Sequence, residues 1–275
     1  KNYHTPILTK QIVEYVITKL DGTYIDCTIG FGGHSKEILN KLNNKGKVIG
    51  IDLDPYALKM AKENLIRKYN NIHFYNNSYL NFPEILNELK IKEVDGFLFD
   101  LGISSYQIDS EHRGFSYRFN GPLNMKFNPD SKDINAEYII NKYSEKELSD
   151  MIKIYGEERF HRRIAKSIVE KRKKKKIKDT FDLKQIITDA IPFYSNKVLS
   201  RVFQSIRITV NDEINTIKKT LPKAVNFLKV GGRIAVISFH SIEDRIIKHF
   251  FKDSSNSDLS TPRLKIITKK PIIAS

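Results

Sequence analysis

Apolar positions recur along this chain in two rhythms. Ile12, Val13, Val16, Ile17 and Leu20 fall at helical spacing and predict a helix over 7–20. Pro6 stops that helix from starting earlier, so 2–6 reads as an extended lead-in. Short apolar runs then alternate with helical stretches. Strands are expected at Tyr24-Ile25, 47–53, 72–75 and 94–101, and helices over 35–43, from Pro55 to about 69, and over 82–89. The run VDGFLFDL, 94–101, is apolar on both faces, and such βα alternation predicts a mostly parallel sheet covered on both sides. The rhythm stops over 102–133, a stretch with Gly102, Gly114, Gly121 and Pro122; loops of this length inside a domain are usually functional. Helical spacing resumes over 136–190, broken near Gly156 and by a basic run, and continues over 198–228. The α/β pattern returns with a turn at Gly231-Gly232, a strand over 233–239 and a helix over 242–251. A polar linker (253–262) and a last strand (263–273) complete the chain. The reading is an α/β domain, 1–105 and 211–275, interrupted by a recognition loop and helical insertion at 106–210.

The stretch TYIDCTIGFGGHS, 23–35, organises the first half. A buried strand breaks into a glycine loop at Gly30, Gly32 and Gly33, and a helix follows. The next strand, VIGIDLD, ends in acids, and Asp52 stands 22 positions after Gly30. An acid at about this distance meets a ribose in nucleotide-binding α/β folds, and glycine lets a ligand approach the backbone N–H groups. The dinucleotide fingerprint wants glycine at position 35, where this chain has Ser35. Acids at Asp26 and Asp52 around the loop suit S-adenosylmethionine better, because its sulfonium and amino group favour carboxylates and it has no pyrophosphate. The plain alternative is an ordinary glycine-rich strand–helix turn.

Composition narrows the partner. The 275 residues carry 47 Lys+Arg against 32 Asp+Glu, a formal net charge of +15, which favours a polyanion, nucleic acid ahead of anionic membrane. Seven of the eight residues 171–178 are basic, and without them the balance is 40 against 32. That run reads first as a solvated face, with any RNA contact there limited to phosphates. The single cysteine, Cys27, suits a reducing compartment and reads as a small buried residue behind the glycine loop. The seven histidines show no metal spacing. No apolar run of membrane-spanning length or signal peptide is visible, and the chain is read as intracellular, although it begins at Lys1 and a removed targeting segment stays open.

Three further clusters carry candidate chemistry. DLGISSYQID, 100–109, leaves the fourth strand, so Asp100 should face whatever the glycine loop holds, with a turn cap as its plain alternative. In RGFSYRFNGPLNMKF, 113–127, Arg113, Arg118 and Lys126 alternate with Phe115, Tyr117, Phe119 and Phe127. That mixture suits a single-stranded nucleic acid with a base splayed out, or an aromatic loop packed on the core. In ISFHSIEDRIIKHF, Ser241 and Asp244 read as a helix cap, and His240 is either catalytic or a hydrogen-bonded structural histidine.

Together these residues resemble the ribosomal RNA small subunit methyltransferase H (RsmH/MraW) family. HTPIL (4–8), DCTIGFGGHS, GIDLDPYAL, DLGISSYQID, RGFSY, GPLNM, YGEERF, FQSIRITVN and GGRIAVISFHSIEDRIIK match its motifs in order, from His4 to about Phe251. The resemblance implies a Rossmann-like S-adenosylmethionine-dependent methyltransferase sheet with an inserted helical domain. It implies methyl transfer to N4 of a decoding-centre cytidine in 16S rRNA, within the small ribosomal subunit of a bacterial cytoplasm, with an organelle left open. Position by position, the cofactor contacts would be Gly32, Gly33, His34, Asp52, Tyr79, Asp100 and Gln107. No metal is implied, and a homodimer stays open. Tyr79 stands where the family often has Phe, and Asn124 replaces an Asp, which puts any role for a carboxylate there in doubt. The basic stretch that follows the last strand in the family is missing before Ser275, which implies weaker affinity for the subunit.

Cytosine N4 is a weak nucleophile because its lone pair is delocalised into the ring, so an acceptor for the N4 hydrogens would help; Asp100 is the candidate acceptor. Arg113, Phe115 and Tyr117 are candidate holders of the displaced base. Three other classes compete. A non-catalytic RNA-binding assembly factor would lose cofactor residues, yet the glycines, Asp52 and Asp100 are all present. A DNA amino-methyltransferase would usually carry a Pro-Pro-aromatic motif where Gly102-Ile103-Ser104-Ser105 stands, and Ser35 disfavours a nicotinamide dehydrogenase.

Overall fold

Runs that are apolar on both faces become parallel strands because only a two-sided cover can bury them. The computed structural model describes residues 6–193, 195–256 and 263–274, and the chain divides into two units, Lys1–Gly102 with Asn215–Ser275, and Ile103–Ile214. In the first unit β1 (Thr23–Asp26), β2 (Lys47–Asp52), β3 (Ile72–Asn76), β4 (Val94–Asp100) and β5 (Leu228–Ile237) pair in parallel in the order β3-β2-β1-β4-β5.

Successive side chains feed two cores. Tyr24, Val48 and Leu98 point to one, shared with α1 (Thr9–Val16), α2 (Gly33–Lys41) and α3 (Pro55–Leu65). Ile25, Ile49, Ile51, Phe97 and Phe99 point to the other, shared with α4 (Phe82–Glu88), α11 (Glu213–Asn226) and α12 (Ser241–Ser254). Gly50 lies on the first face, where a Cβ would sit 2.2 Å from the Ile29 Cδ1 atom. The missing side chain lets the β1–α2 loop lie down on the sheet. Cys27 is buried in the second core, as its small size led us to expect.

The second unit has a core of its own, built by α6 (Ala136–Lys142), α7 (Glu145–Gly156), α8 (His161–Lys174), α9 (Thr180–Ala190) and α10 (Asn196–Asn211). At Gly156 a Cβ would stand 2.8 Å from the Arg201 carbonyl oxygen, so glycine permits the close approach of α7 and α10. Much of the basic run is engaged within this unit. Arg172 donates to the carbonyls of Ile140 and Tyr143 at the end of α6, at 2.6 and 2.5 Å. Lys171 pairs with Asp189, Lys175 with Asp182 and Lys176 with Glu137. Exposed pairs of this kind add little stability, but they lower the free positive charge of the run.

Three expectations change. The helix expected over 7–20 is Thr9–Val16, because the buried Tyr24 hydroxyl captures the chain beyond it: it accepts from the N–H groups of Thr18 and Lys19, at 3.0 and 2.9 Å, and donates to the Lys19 carbonyl at 2.8 Å. Gly231-Gly232 form no turn before the last strand; they lie inside β5, with Gly231 at φ +81° where the register against β4 shifts between Val94 and Gly96. No strand forms over 263–274, whose residues are almost all exposed. The lead-in at 2–5 and residues 257–262 of the linker lie outside the described residues. Among the described residues no helix is long and apolar enough to cross a membrane.

Removing the Tyr24 hydroxyl leaves the N–H groups of Thr18 and Lys19 without their acceptor, and the Lys19 carbonyl without its donor, at the partly buried turn after α1. Tyr24→Phe is expected to lower unfolding free energy by about 1 kcal/mol. Urea denaturation at unchanged slope checks this; a loss below about 0.5 kcal/mol would show that the turn relaxes to find other partners.

Candidate active site at the carboxyl ends of the strands

Ligands of open α/β sheets bind beyond the carboxyl ends of the strands, and the polar groups of the first unit converge there. The loop after β1 is tied to both neighbouring strands. Its Gly30 N–H donates to Asp52 Oδ2 at 2.8 Å, at the end of β2, while its Thr28 hydroxyl oxygen accepts from the Asp100 N–H at 2.7 Å, at the end of β4. Gly30 and Gly32 take φ values of +54° and +87° that a side chain would strain. At Gly32 a Cβ would also come within 2.7 Å of Leu65. At Gly30 a Cβ would meet nothing closer than 3.9 Å, so this turn of the loop borders open space.

The three strand-end acids have different surroundings. Asp26 is buried and spends its carboxylate inside the loop, accepting from the Ser35 hydroxyl at 2.7 Å and the Thr28 N–H at 3.3 Å. Ser35, the departure from the dinucleotide fingerprint, is thus the partner of Asp26. Desolvation raises the Asp26 pKa, against the opposing influence of His34 and these hydrogen bonds. Asp26 was expected to favour a bound cation; it braces the loop instead.

Asp52 is half-buried and accepts from the N–H groups of Gly30 and Asp54, at 2.8 and 2.9 Å. Desolvation outweighs those bonds and pushes its pKa up to about 7. Asp100 is half-buried too, its side chain 26% exposed.

His34, in the first turn of α2, stands beside Asp100. Its Nε2 lies 2.8 Å from the Ile7 carbonyl, which can only accept, so Nε2 carries a proton. Its Nδ1 lies 3.5 Å from Asp100 Oδ2. Gly32, Gly33, His34, Asp52 and Asp100 therefore gather at one end of the sheet. Tyr79 lies in the short turn Tyr79–Asn81 after β3, its ring edge-on to Phe99 at 5.7 Å. The motif supplied each residue of the His34–Asp100 pair; the contact between them was not foreseen.

The other candidates belong to the helical unit. Gln107 sits in α5 (Ser105–Asp109), where its Oε1 accepts from the Ser104 N–H at 3.0 Å and the Ser104 hydroxyl accepts from its own N–H at 3.2 Å. This is a reciprocal cap that S-x-x-Q spacing announces. Arg113 is buried, and its Nη2 donates to the carbonyls of Lys126 and Phe127, at 2.9 and 2.8 Å. Phe115 is buried against Phe127, with ring centroids 5.9 Å apart. Tyr117 is half-buried, with its hydroxyl 3.0 Å from Ser200 Oγ.

Asn211 at the end of α10 closes the same loop, accepting from the Phe127 N–H and donating to the Met125 carbonyl, at 2.7 and 2.8 Å. Asn124 Oδ1 accepts from the Lys126 N–H at 3.1 Å, a local turn that Asp could make equally. In the first unit, the cap of α12 is displaced by one residue from expectation. His240, not Ser241, receives the Glu243 N–H on Nδ1 at 3.4 Å, and Glu243 rather than Asp244 reaches back to the Phe239 N–H at 3.0 Å.

A parallel sheet with a glycine loop between two strand-end acids is the architecture of a nucleotide-binding α/β protein. A model of the MraW methylase family matches residues 1–275, and the chain belongs to that family. It is 45% identical to "Ribosomal RNA small subunit methyltransferase H" of Halothermothrix orenii, covering 98% of this chain and 91% of that protein. The proteins of the same name from Caldicellulosiruptor saccharolyticus and Clostridium botulinum strain Kyoto are 45% and 44% identical, with the same coverage. Among solved structures, NSun6 from Pyrococcus horikoshii is 13% identical, covering 90% of this chain and 42% of its own, with a TM-score of 0.43. The chain is a methyltransferase, and its methyl donor is S-adenosylmethionine.

The raised pKa of Asp52 has a stability consequence. A carboxyl that titrates near 7 when folded and near 3.8 when unfolded binds a proton on folding in between. Its contribution is complete below the unfolded value and is lost as pH rises through 7. Unfolding free energy of the ligand-free protein should therefore decline from pH 5 to pH 8 by on the order of 3 kcal/mol more than in Asp52→Asn. Parallel slopes in the two proteins would mean that Asp52 is ionised throughout.

Proposed function

We propose that this methyltransferase modifies N4 of a cytidine at the decoding centre of small-subunit ribosomal RNA, acting on the assembled subunit in the cytoplasm. The ribosomal RNA substrate is supported by relatives of that name at about 45% identity over nearly the whole chain. The choice of an exocyclic amine is supported by one observation above all: a partly exposed carboxylate, Asp100, at the end of β4 beside the glycine loop.

The donor set suits the cofactor. Asp52 has the place and chemistry to accept from ribose hydroxyls, Gly32, Gly33 and His34 form the turn that passes the amino-acid end, and Tyr79 offers a ring to adenine. The family resemblance alone assigns Gln107, in the helical unit, to the cofactor. When bound, S-adenosylmethionine supplies an electrophilic methyl group on its sulfonium.

The remaining work falls to the protein. Asp100 accepts a hydrogen bond from the N4 amino group, which localises the nitrogen lone pair and orients it for in-line attack. N4 gains the methyl and loses one hydrogen as a proton, for which Asp100 is the nearest acceptor. With its Nε2 proton committed to Ile7, His34 presents Nδ1 to Asp100 and can hold that proton in turn. In the helical unit, Tyr117 contacts RNA on a loop whose shape Arg113 and Phe115 maintain from within.

Transfer from labelled S-adenosylmethionine to unmodified small subunits, with the nucleoside identified by mass, tests the reading. The expected product is N4-methylcytidine, and Asp100→Asn should cut turnover well over tenfold at saturating cofactor. A different methylated nucleoside would move the reaction elsewhere, and cofactor binding without transfer would favour a non-catalytic assembly factor. If Asp52 receives the ribose as carboxylate, S-adenosylhomocysteine should bind about tenfold tighter at pH 8 than at pH 6, and Asp52→Asn should remove that dependence.

A further inference from the structure

Strands β4 and β5 end side by side. Asp100 is paired with Ile237, and the Leu101 N–H extends the ladder by donating to the Ile237 carbonyl at 3.1 Å. Two residues beyond the paired positions stand Gly102 and Phe239. Gly102 takes φ +94°, and a Cβ there would meet the Phe239 ring at 3.3 Å, so the ring edge lies against a position kept bare. The ring is 58% exposed, although Ile237, Ile242 and Glu243 around it in sequence are buried.

We propose that Phe239 is the platform on which the target base stacks for methyl transfer, its exposed ring standing beside Asp100 at the carboxyl ends of adjacent strands. The proposal rests on the reading of the protein as a cytosine N4-methyltransferase. A lone exposed phenylalanine is ordinary on protein surfaces. Three observations set this one apart.

The first is place: it lies where a parallel sheet binds its ligands, two residues past the strand position paired with the acid assigned to N4. The second is its mount. Its N–H is held by Glu243 Oε2 at 3.0 Å, and the next residue, His240, caps α12 with Nε2 3.1 Å from Glu243 Oε1. A buried carboxylate thus holds the Phe239 backbone N–H and the neighbouring His240 side chain beside a ring left in water. The third is need. A cytosine removed from its own stack requires a flat partner, and the residues that leave β4, Gly102-Ile103-Ser104-Ser105, include no ring. Phe239 supplies one from the neighbouring strand. Stacking is tolerant of base identity, so the ring would position the base while the hydrogen bond to Asp100 selects an amino group.

Phe239→Leu keeps an apolar side chain but loses the flat face, and Phe239→Tyr and Phe239→Trp keep the face. Each variant and the unaltered protein are compared in methyl transfer to unmodified small subunits, in S-adenosylhomocysteine affinity and in thermal midpoint. Phe239→Leu should lose roughly tenfold to a hundredfold in transfer efficiency on subunits while cofactor affinity stays within about twofold and the midpoint is unchanged. Phe239→Tyr or Phe239→Trp should restore most of the transfer.

Normal transfer by Phe239→Leu would overturn the proposal. So would a loss shared by all three variants, or one accompanied by weakened cofactor binding or stability. Failure of the unaltered protein to make N4-methylcytidine would instead bring down the reading on which the proposal stands.

Discussion

A single loop is held at four points, and the candidate site follows from where it is held. The segment after β1 receives Gly30 N–H···Asp52 from one side and Asp100 N–H···Thr28 from the other. Beneath it, the Cys27 N–H donates to the Leu98 carbonyl and the Ile29 N–H to the Ile51 carbonyl, at 2.9 and 3.0 Å. A central parallel strand has neighbours on both edges, so its exit loop can be bonded to two flanking strands at once. That arrangement brings the ends of β2 and β4 to a common height and sets the spacing of the acids they carry. The buried Asp26–Ser35 bond fixes the helix that leaves the loop, and with it His34.

The layers of the first unit were legible because both cores are written in runs that hydrophobic alternation exposes directly. Boundaries were lost where one polar atom overrides local spacing. The Tyr24 hydroxyl ends α1 before its apolar pattern does, and nothing at 17–20 announces a partner at 24. Gly231-Gly232 looked like a turn because paired glycines usually punctuate; β4 continues alongside and turns them into a bulge. In the site, the strand-end acids and glycines were legible from motif and spacing, whereas the Ile7–His34–Asp100 chain joins residues 27 and 66 positions apart. Only the fold brings these together.

The helical unit shows why charge and aromatic content alone overstate an RNA surface. Arg113 lies inside its loop and binds two carbonyls, and Arg172 does the same at the end of α6. A guanidinium is well suited to that task, since its fork of donors can satisfy several backbone oxygens at once. Three lysines of the basic run face acids of the same unit. The substitution at Asn124 falls under the same logic, because the turn it makes needs an oxygen rather than a charge.

The place of Cys27 has one more outcome. It is the only cysteine in these 275 residues, it lies sealed in the core below the loop, and burial drives its thiol pKa well above the ordinary value. Oxidants and alkylating agents attack the thiolate of an accessible cysteine, and here both conditions are withheld while the loop stays closed. In the folded protein that one sulfhydryl is therefore shielded from peroxide and alkylating agents, and its reactivity reports on opening of the core around it.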